Sequence, residues 1–192
     1  MTTTEPLPGT REQLLNAAED LFATQGYAAT TIKQVAEQVG IQGPAIYKHF
    51  ANKRALFEEV LERLFSPFTE MVGEGEPDAN QARIVSQHLE NLNASRIAQL
   101  ATLSGGEDLA LLVERWYRPF FKRTRELLDS GQSGITPVTV MAFHSMLLGY
   151  LTLAPLHEAI FELDPLGSDA LGELLDLVGS MAQNLGHGNS AQ

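Results

Sequence analysis

Residues 40–57 read GIQGPAIYKHFANKRALF, and the Gly43-Pro44 pair within them is a helix start. Glycine is tolerated at an N-cap, and proline is favoured at the first helical position, where no N–H is needed. A short helix is expected from there to about Phe50, and Asn52 caps a longer one carrying Leu56, Phe57, Val60, Leu61, Leu64 and Phe65. At ~100° per residue, Ile46 and Phe50 share a side and face a core, while Lys48 points away from it. Pro44 and Ala45 also face outward, and Tyr47 and His49 lie on opposite flanks.

Upstream, Thr30 or Thr31 caps a helix whose inner side carries Ile32, Val35, Ala36 and Val39, with Gly40 as its end. Before it, Leu14, Ala17, Ala18, Leu21 and Phe22 form another stripe, closed by Gly26. Only Ile41 and Gln42 separate Gly40 from the next start, so the two short helices form a helix-turn-helix.

The same three- and four-residue apolar spacing continues downstream, and no strand-length alternation of Val, Ile and Thr interrupts it. The expected fold is all-α. Pro67 is expected to kink or end the fourth helix, and GEGEPD at 73–78 is a loop. Helices follow at about 79–92, 94–103, 107–130, 137–162 and 168–185, then a polar tail, GHGNSAQ. The division is a three-helix head at 10–56, joined by a connecting helix to a helical ligand-binding and dimerisation body at 57–188.

An outward face of this kind suits a helix lying in a DNA major groove, with its start near base edges and its flanks at the phosphate walls. Lys53, at the start of the next helix, suits a phosphate, and Lys33 adds a cation on the second helix. A solvated amphipathic helix with incidental cations is the competing reading. Tyr47 weighs against it, because an aromatic ring so far from the core exposes apolar area without an internal reason. The residues alone leave both readings open.

Charge supports a local basic face only. The chain carries 13 Lys/Arg and 24 Asp/Glu, a net −11 that argues against a general nucleic-acid coat. Residues 1–65 hold a net −2 and residues 66–192 a net −9, with the early cations crowded into 33–54. Cysteine is absent, which excludes disulfides and thiolate chemistry and fits a cytoplasmic protein. MTTTEPLPGT has neither the basic start nor the apolar run of a signal peptide. MLLGYLTLAPL at 146–156, interrupted by Pro155, falls short of the ~20 residues of a membrane helix, so no membrane partner is expected.

Segment 11–57 resembles the DNA-binding domain of the tetracycline-repressor (TetR) family. The similarity lies in LFATQGY at 21–27, TTIKQVAEQVG at 30–40 and, above all, AIYKHFANKRALF at 45–57. The resemblance implies phosphate contacts from Thr31, Tyr47, His49 and Lys53. It places Lys33, Gln42, Gly43, Pro44, Ala45 and Lys48 nearest the bases of a double-stranded operator. Gly43-Pro44-Ala45 departs from the commoner pattern by offering no side-chain donors. Direct readout then leans on Gln42, Lys33, Lys48 and a contact between Ala45 and a thymine methyl. The resemblance also implies a homodimer, a small-molecule effector and, more often than activation, repression.

In the body, VERWYRPFFKRTR at 113–125 packs aromatic residues around Pro119, which should bend the helix and leave room beside them. Trp116, Tyr117 and Phe120, with His88, Asn91, Met141 and His144 from neighbouring helices, are candidate pocket residues. Core packing is the plainer reading of each. Arg115, Arg118, Lys122, Arg123 and Arg125 could meet an anionic effector such as an acyl thioester or carboxylate, but such a run reads more often as a solvated helix face. The last two helices carry more apolar residues than one face needs, and Met146, Leu147, Tyr150, Leu151, Leu174, Leu175, Val178 and Met181 are interface candidates.

No catalytic role is expected. The five histidines, at 49, 88, 144, 157 and 187, show no metal spacing, no phosphate loop or GxSxG occurs, and Glu158/Glu162 reads as a solvated pair. Neither a metal nor a cofactor is expected. The alternative to an operator-binding regulator is a helical ligand- or partner-binding protein of the same fold without operator recognition.

Overall fold

The computed structural model describes residues 9–70, 77–130 and 136–187. Among these the chain is helical, without strands. The loop expected at 73–78 falls largely outside the described residues, as does the tail from 188 onward. Pro77 and Asp78 already belong to a helix.

The head is built from α1 (Thr10–Ala29), α2 (Ile32–Val39), a six-residue 3₁₀ turn (Gly43–Lys48) and the start of α3 (Lys53–Glu70). Leu14, Ala17, Ala18 and Phe22 of α1 are buried at helical spacing. Gly26 kinks α1 rather than ending it. Its φ of +79° suits glycine, while the space beside it would admit a Cβ. Thr31, not Thr30, caps α2. The Gln34 amide donates to Thr31 Oγ1 at 3.2 Å and the Thr31 amide donates to Gln34 Oε1 at 2.8 Å, a capping box. Gly40, at φ +76°, ends α2, with the Ile41 amide on the Ala36 carbonyl and its own on that of Glu37.

The third helix is tighter and shorter than expected. The Gly43–Lys48 segment closes with i→i+3 bonds, such as the Ala45 amide to the Gln42 carbonyl at 2.9 Å. Only its exit is α-like, through the Phe50 amide on the Ile46 carbonyl at 3.0 Å. That last bond keeps Ile46 and Phe50 on one buried side.

Asn52 caps α3 by accepting from the Ala55 amide at 2.8 Å. Contrary to expectation, α3 runs through Pro67 to Glu70. Phe65 and Phe68, which flank the proline in sequence, are both buried, and their rings pack against Trp116, Tyr117, His88 and Phe120, so tertiary contacts support this turn of the helix against the lost bond.

The body comprises α4 (Pro77–Glu90), α5 (Leu92–Ser104), α6 (Gly106–Leu112), a π turn (Val113–Tyr117), α7 (Arg118–Phe120), α8 (Lys122–Asp129), α9 (Pro137–Phe161) and α10 (Ser168–His187). The single helix expected at 107–130 is therefore broken. Pro119 leaves the Arg115 carbonyl without its usual donor, and the turn before it widens so that the Arg118 amide reaches the Val113 carbonyl. α5 lies along α1, with the Asn93 amide donating to Glu19 at 2.9 Å. One core runs from Leu14 in the head to Trp116 in the body.

Pro155 does not interrupt α9, which extends over 25 residues. Among the described residues it is the one helix long and apolar enough to cross a membrane by length and composition, with mean hydropathy 1.4. In this fold one side of it closes a cavity against α4, α7 and α10, and the other side is bare.

Candidate nucleic-acid interface and ligand cavity

The 3₁₀ turn brings Gln42, Pro44, Tyr47, Lys48 and His49 to the surface, with Gly43 and Ala45 half-buried between them. Tyr47 is 56% exposed although its neighbour Ile46 is fully buried. Lys33 stands out on α2 with only an i,i+4 pair to Glu37 at 3.5 Å. Thr31 is exposed, but its hydroxyl is committed to the α2 cap.

Lys53 is drawn inward. Its ammonium donates to the carbonyls of Tyr27 and Thr30 at 2.8 and 2.9 Å and lies 4.1 Å from the Tyr27 ring centre. Burial lowers its pKa, with the Asp108 carboxylate acting in the opposite sense. An ammonium has three protons to donate, so one remains for a phosphate. Arg54 is also engaged. It donates to Glu58 at 3.2 Å and to Asp108 of α6 at 2.5 Å, tying head to body. Of the cations in the opening segment, Lys48 and His49 project outward without an ion pair among the described residues.

In the body, α4, α7, α8, α9 and α10 enclose a chamber of about 290 Å³. Its walls are Ile84, Val85, Phe120, Phe121, Val140, Phe143, Met146, Leu147, Leu174 and Val178, with His88, Thr124, Thr139 and His144 as the polar groups. A lobe of about 20 Å³ continues inward past His88, Phe120 and His144 to Phe65, Phe68, Ser95, Trp116 and Tyr117. Outward, Met141, Arg125 and Leu128 border a mouth that shares Phe121, Thr124, Val140 and His144.

His88, Trp116, Tyr117, Phe120, Met141 and His144 thus line this system, but the structure does not bring Asn91 to it. Asn91 lies at the α4–α5 junction, where its side-chain Nδ2 donates to the Gln87 carbonyl at 3.4 Å. Burial and the neighbouring His88 push the His144 pKa down to about 4. Burial also lowers that of His88, against the opposing bond to Ile84. Burial raises Tyr117 to about 12. All three are neutral near pH 7.

Met146, Leu147, Leu174 and Val178, expected at a subunit interface, face this chamber instead. Thr139, Val140, Phe143 and Leu147 were not expected there, although their spacing marks one face of α9. That face was hidden because α9 is apolar on every side.

The family model for bacterial regulatory proteins of the tetR family matches residues 14–60, the stretch that spans α1, α2, the turn and the start of α3. Residues 14–60 thus form a head of the tetR type of bacterial regulatory proteins. The chain is 34% identical over 95 residues to the HTH-type transcriptional repressor KstR2 of Rhodococcus jostii, covering 47% of each chain. The chain's matches span about half or less of the length of the first such relatives. The HTH-type transcriptional regulator Mb3439c of Mycobacterium bovis is 27% identical over 179 residues, with 88% of this chain and 89% of that one covered. The crystal structure of Mycobacterium smegmatis AmtR superposes with a TM-score of 0.64 at 21% identity, covering 97% and 90% of the two chains. That likeness shows a shared fold across both the head and the helical body.

Proposed function

We propose that the protein regulates transcription by binding a DNA operator as a homodimer, and that a small molecule in the α4–α10 chamber releases it. The observation that carries this reading is α3. It starts at Lys53 beside the exposed turn and reaches Phe68, whose ring lies 4.6 Å from His88 and 6.3 Å from Phe120. Its 18 residues make a rigid lever of ~27 Å between the two sites.

The turn enters the major groove, with Gln42, Ala45 and Lys48 near the bases and Lys33 beside them on α2. Tyr47, His49 and the free proton of Lys53 lie toward phosphates, and Gly43 and Pro44 let the backbone come close. Pairing supplies the second half-site. Val138, Met141, Leu153, Leu156 and Ile160 on α9, with Leu177 and Met181 on α10, form the exposed apolar face that a second copy covers. A ligand that favours one placement of Phe68 and Phe120 shifts α3 and the separation of the two turns, through differential affinity for the two states.

Gly43-Pro44-Ala45 favours one second reading, in which the same fold binds a ligand or partner without reading an operator. Sequencing the host genomic DNA fragments retained by the purified protein at near-physiological salt separates the two. Enrichment of a few palindromic sites is the expected result. Uniform recovery, or none, would overturn operator recognition.

A further inference from the structure

The chamber's lining carries information about its occupant's chemistry. Among the described residues, no Lys, Arg, Asp or Glu lines the main chamber or the inner lobe, and Arg125 stands only at the mouth. A buried ion would find no countercharge there, at a large desolvation cost. The inner lobe nevertheless holds a buried polar group, Ser95 Oγ, without a partner among the described residues. Ser95 is 4% exposed. The Nδ1 of His88 lies 2.8 Å from the Ile84 carbonyl. A carbonyl only accepts, so Nδ1 carries the proton and Nε2 is left as an acceptor. The lobe's ~20 Å³ admits one water-sized group.

We propose that the effector is uncharged: a hydrophobic body filling the main chamber, with a single hydroxyl, alcohol or phenol, seated in the inner lobe against Ser95 and His88. A hydroxyl both donates and accepts, which matches the Nε2 acceptor and the serine together, whereas a carboxylate cannot donate and a plain hydrocarbon does neither. This inference rests on the effector reading of the chamber given above.

Calorimetric titration of the full chain at about pH 7.5 with 4-hexylphenol, hexylbenzene and 4-hexylbenzoate tests it. The phenol binds about fivefold or more tightly than hexylbenzene, the increment of one buried hydrogen bond, and the benzoate binds weakest. Ser95→Ala reduces the preference for phenol over hexylbenzene about threefold or more, and an unchanged helical circular-dichroism spectrum shows that the variant remains folded. Tightest binding by the benzoate, an unchanged preference in Ser95→Ala, or binding of none of the three overturns the proposal. Operator release is read separately by fluorescence anisotropy. If the phenol binds as described but leaves DNA bound, the ligand class stands and the release mechanism falls. If the benzoate alone binds and releases DNA, the reverse holds.

Discussion

Lys53 and Lys48 lie five positions apart and do different work. Lys53 gives two protons to the carbonyls of Tyr27 and Thr30 and so fastens the end of α1 to the start of α3. Lys53→Met should cost about 1–2 kcal/mol of stability in urea unfolding, whereas Lys48→Ala, exposed and unpaired, should change it by less than about 0.5 kcal/mol. Sequence spacing placed both lysines near DNA but could not show that backbone carbonyls compete for one of them. His144 titrates in the opposite sense to a paired histidine. Its folded pKa, about 4, lies below its ordinary 6.5, so the unfolded chain takes up the proton first as pH falls. Its contribution to stability is therefore intact above about pH 6.5 and is lost between there and about pH 4, at no more than ~1.4 kcal/mol per pH unit. Unfolding measured at a series of pH values should show a shallower fall for His144→Phe.

At the scale of elements, the head was legible because each of its boundaries has a local chemical cause. Thr31 caps α2, Asn52 caps α3, and Gly40 ends α2 in the left-handed region at φ +76°. Open space surrounds Gly40, so Gly40→Ala meets backbone strain and no clash. It should lower stability by about 1 kcal/mol without loss of the fold, as read by thermal or urea unfolding. The prolines were less legible. Pro67 and Pro155 lie within continuous helices, while Pro119 sits just after a π turn. The outcome depends on tertiary support. Phe65 and Phe68 brace α3 around Pro67, but the Trp116–Phe121 stretch lies against the cavity, where an opened turn is accommodated. The side of α9 facing inward was legible only in part: Met141 and His144 were expected at the pocket, but both faces of the helix are apolar and only packing distinguishes Leu147 from Leu156.

The whole molecule is an acidic body carrying a small outward face of Tyr47, Lys48 and His49, with one core running from head to cavity. On the proposed pairing, the exposed apolar faces of α9 and α10 join two copies so that two half-sites are read. Leu156→Glu with Ile160→Glu should give a folded monomer by sedimentation and weaken operator binding by tenfold or more, because one head alone holds only a half-site. The most direct test of the account is the affinity for a palindromic site recovered from genomic DNA, measured by fluorescence anisotropy over a range of salt. Wild-type affinity should fall steeply with salt, and Lys48→Ala or Tyr47→Ala should weaken binding while the fold is retained. An affinity that ignores salt and both substitutions would contradict the placement of the Gly43–Lys48 turn on DNA.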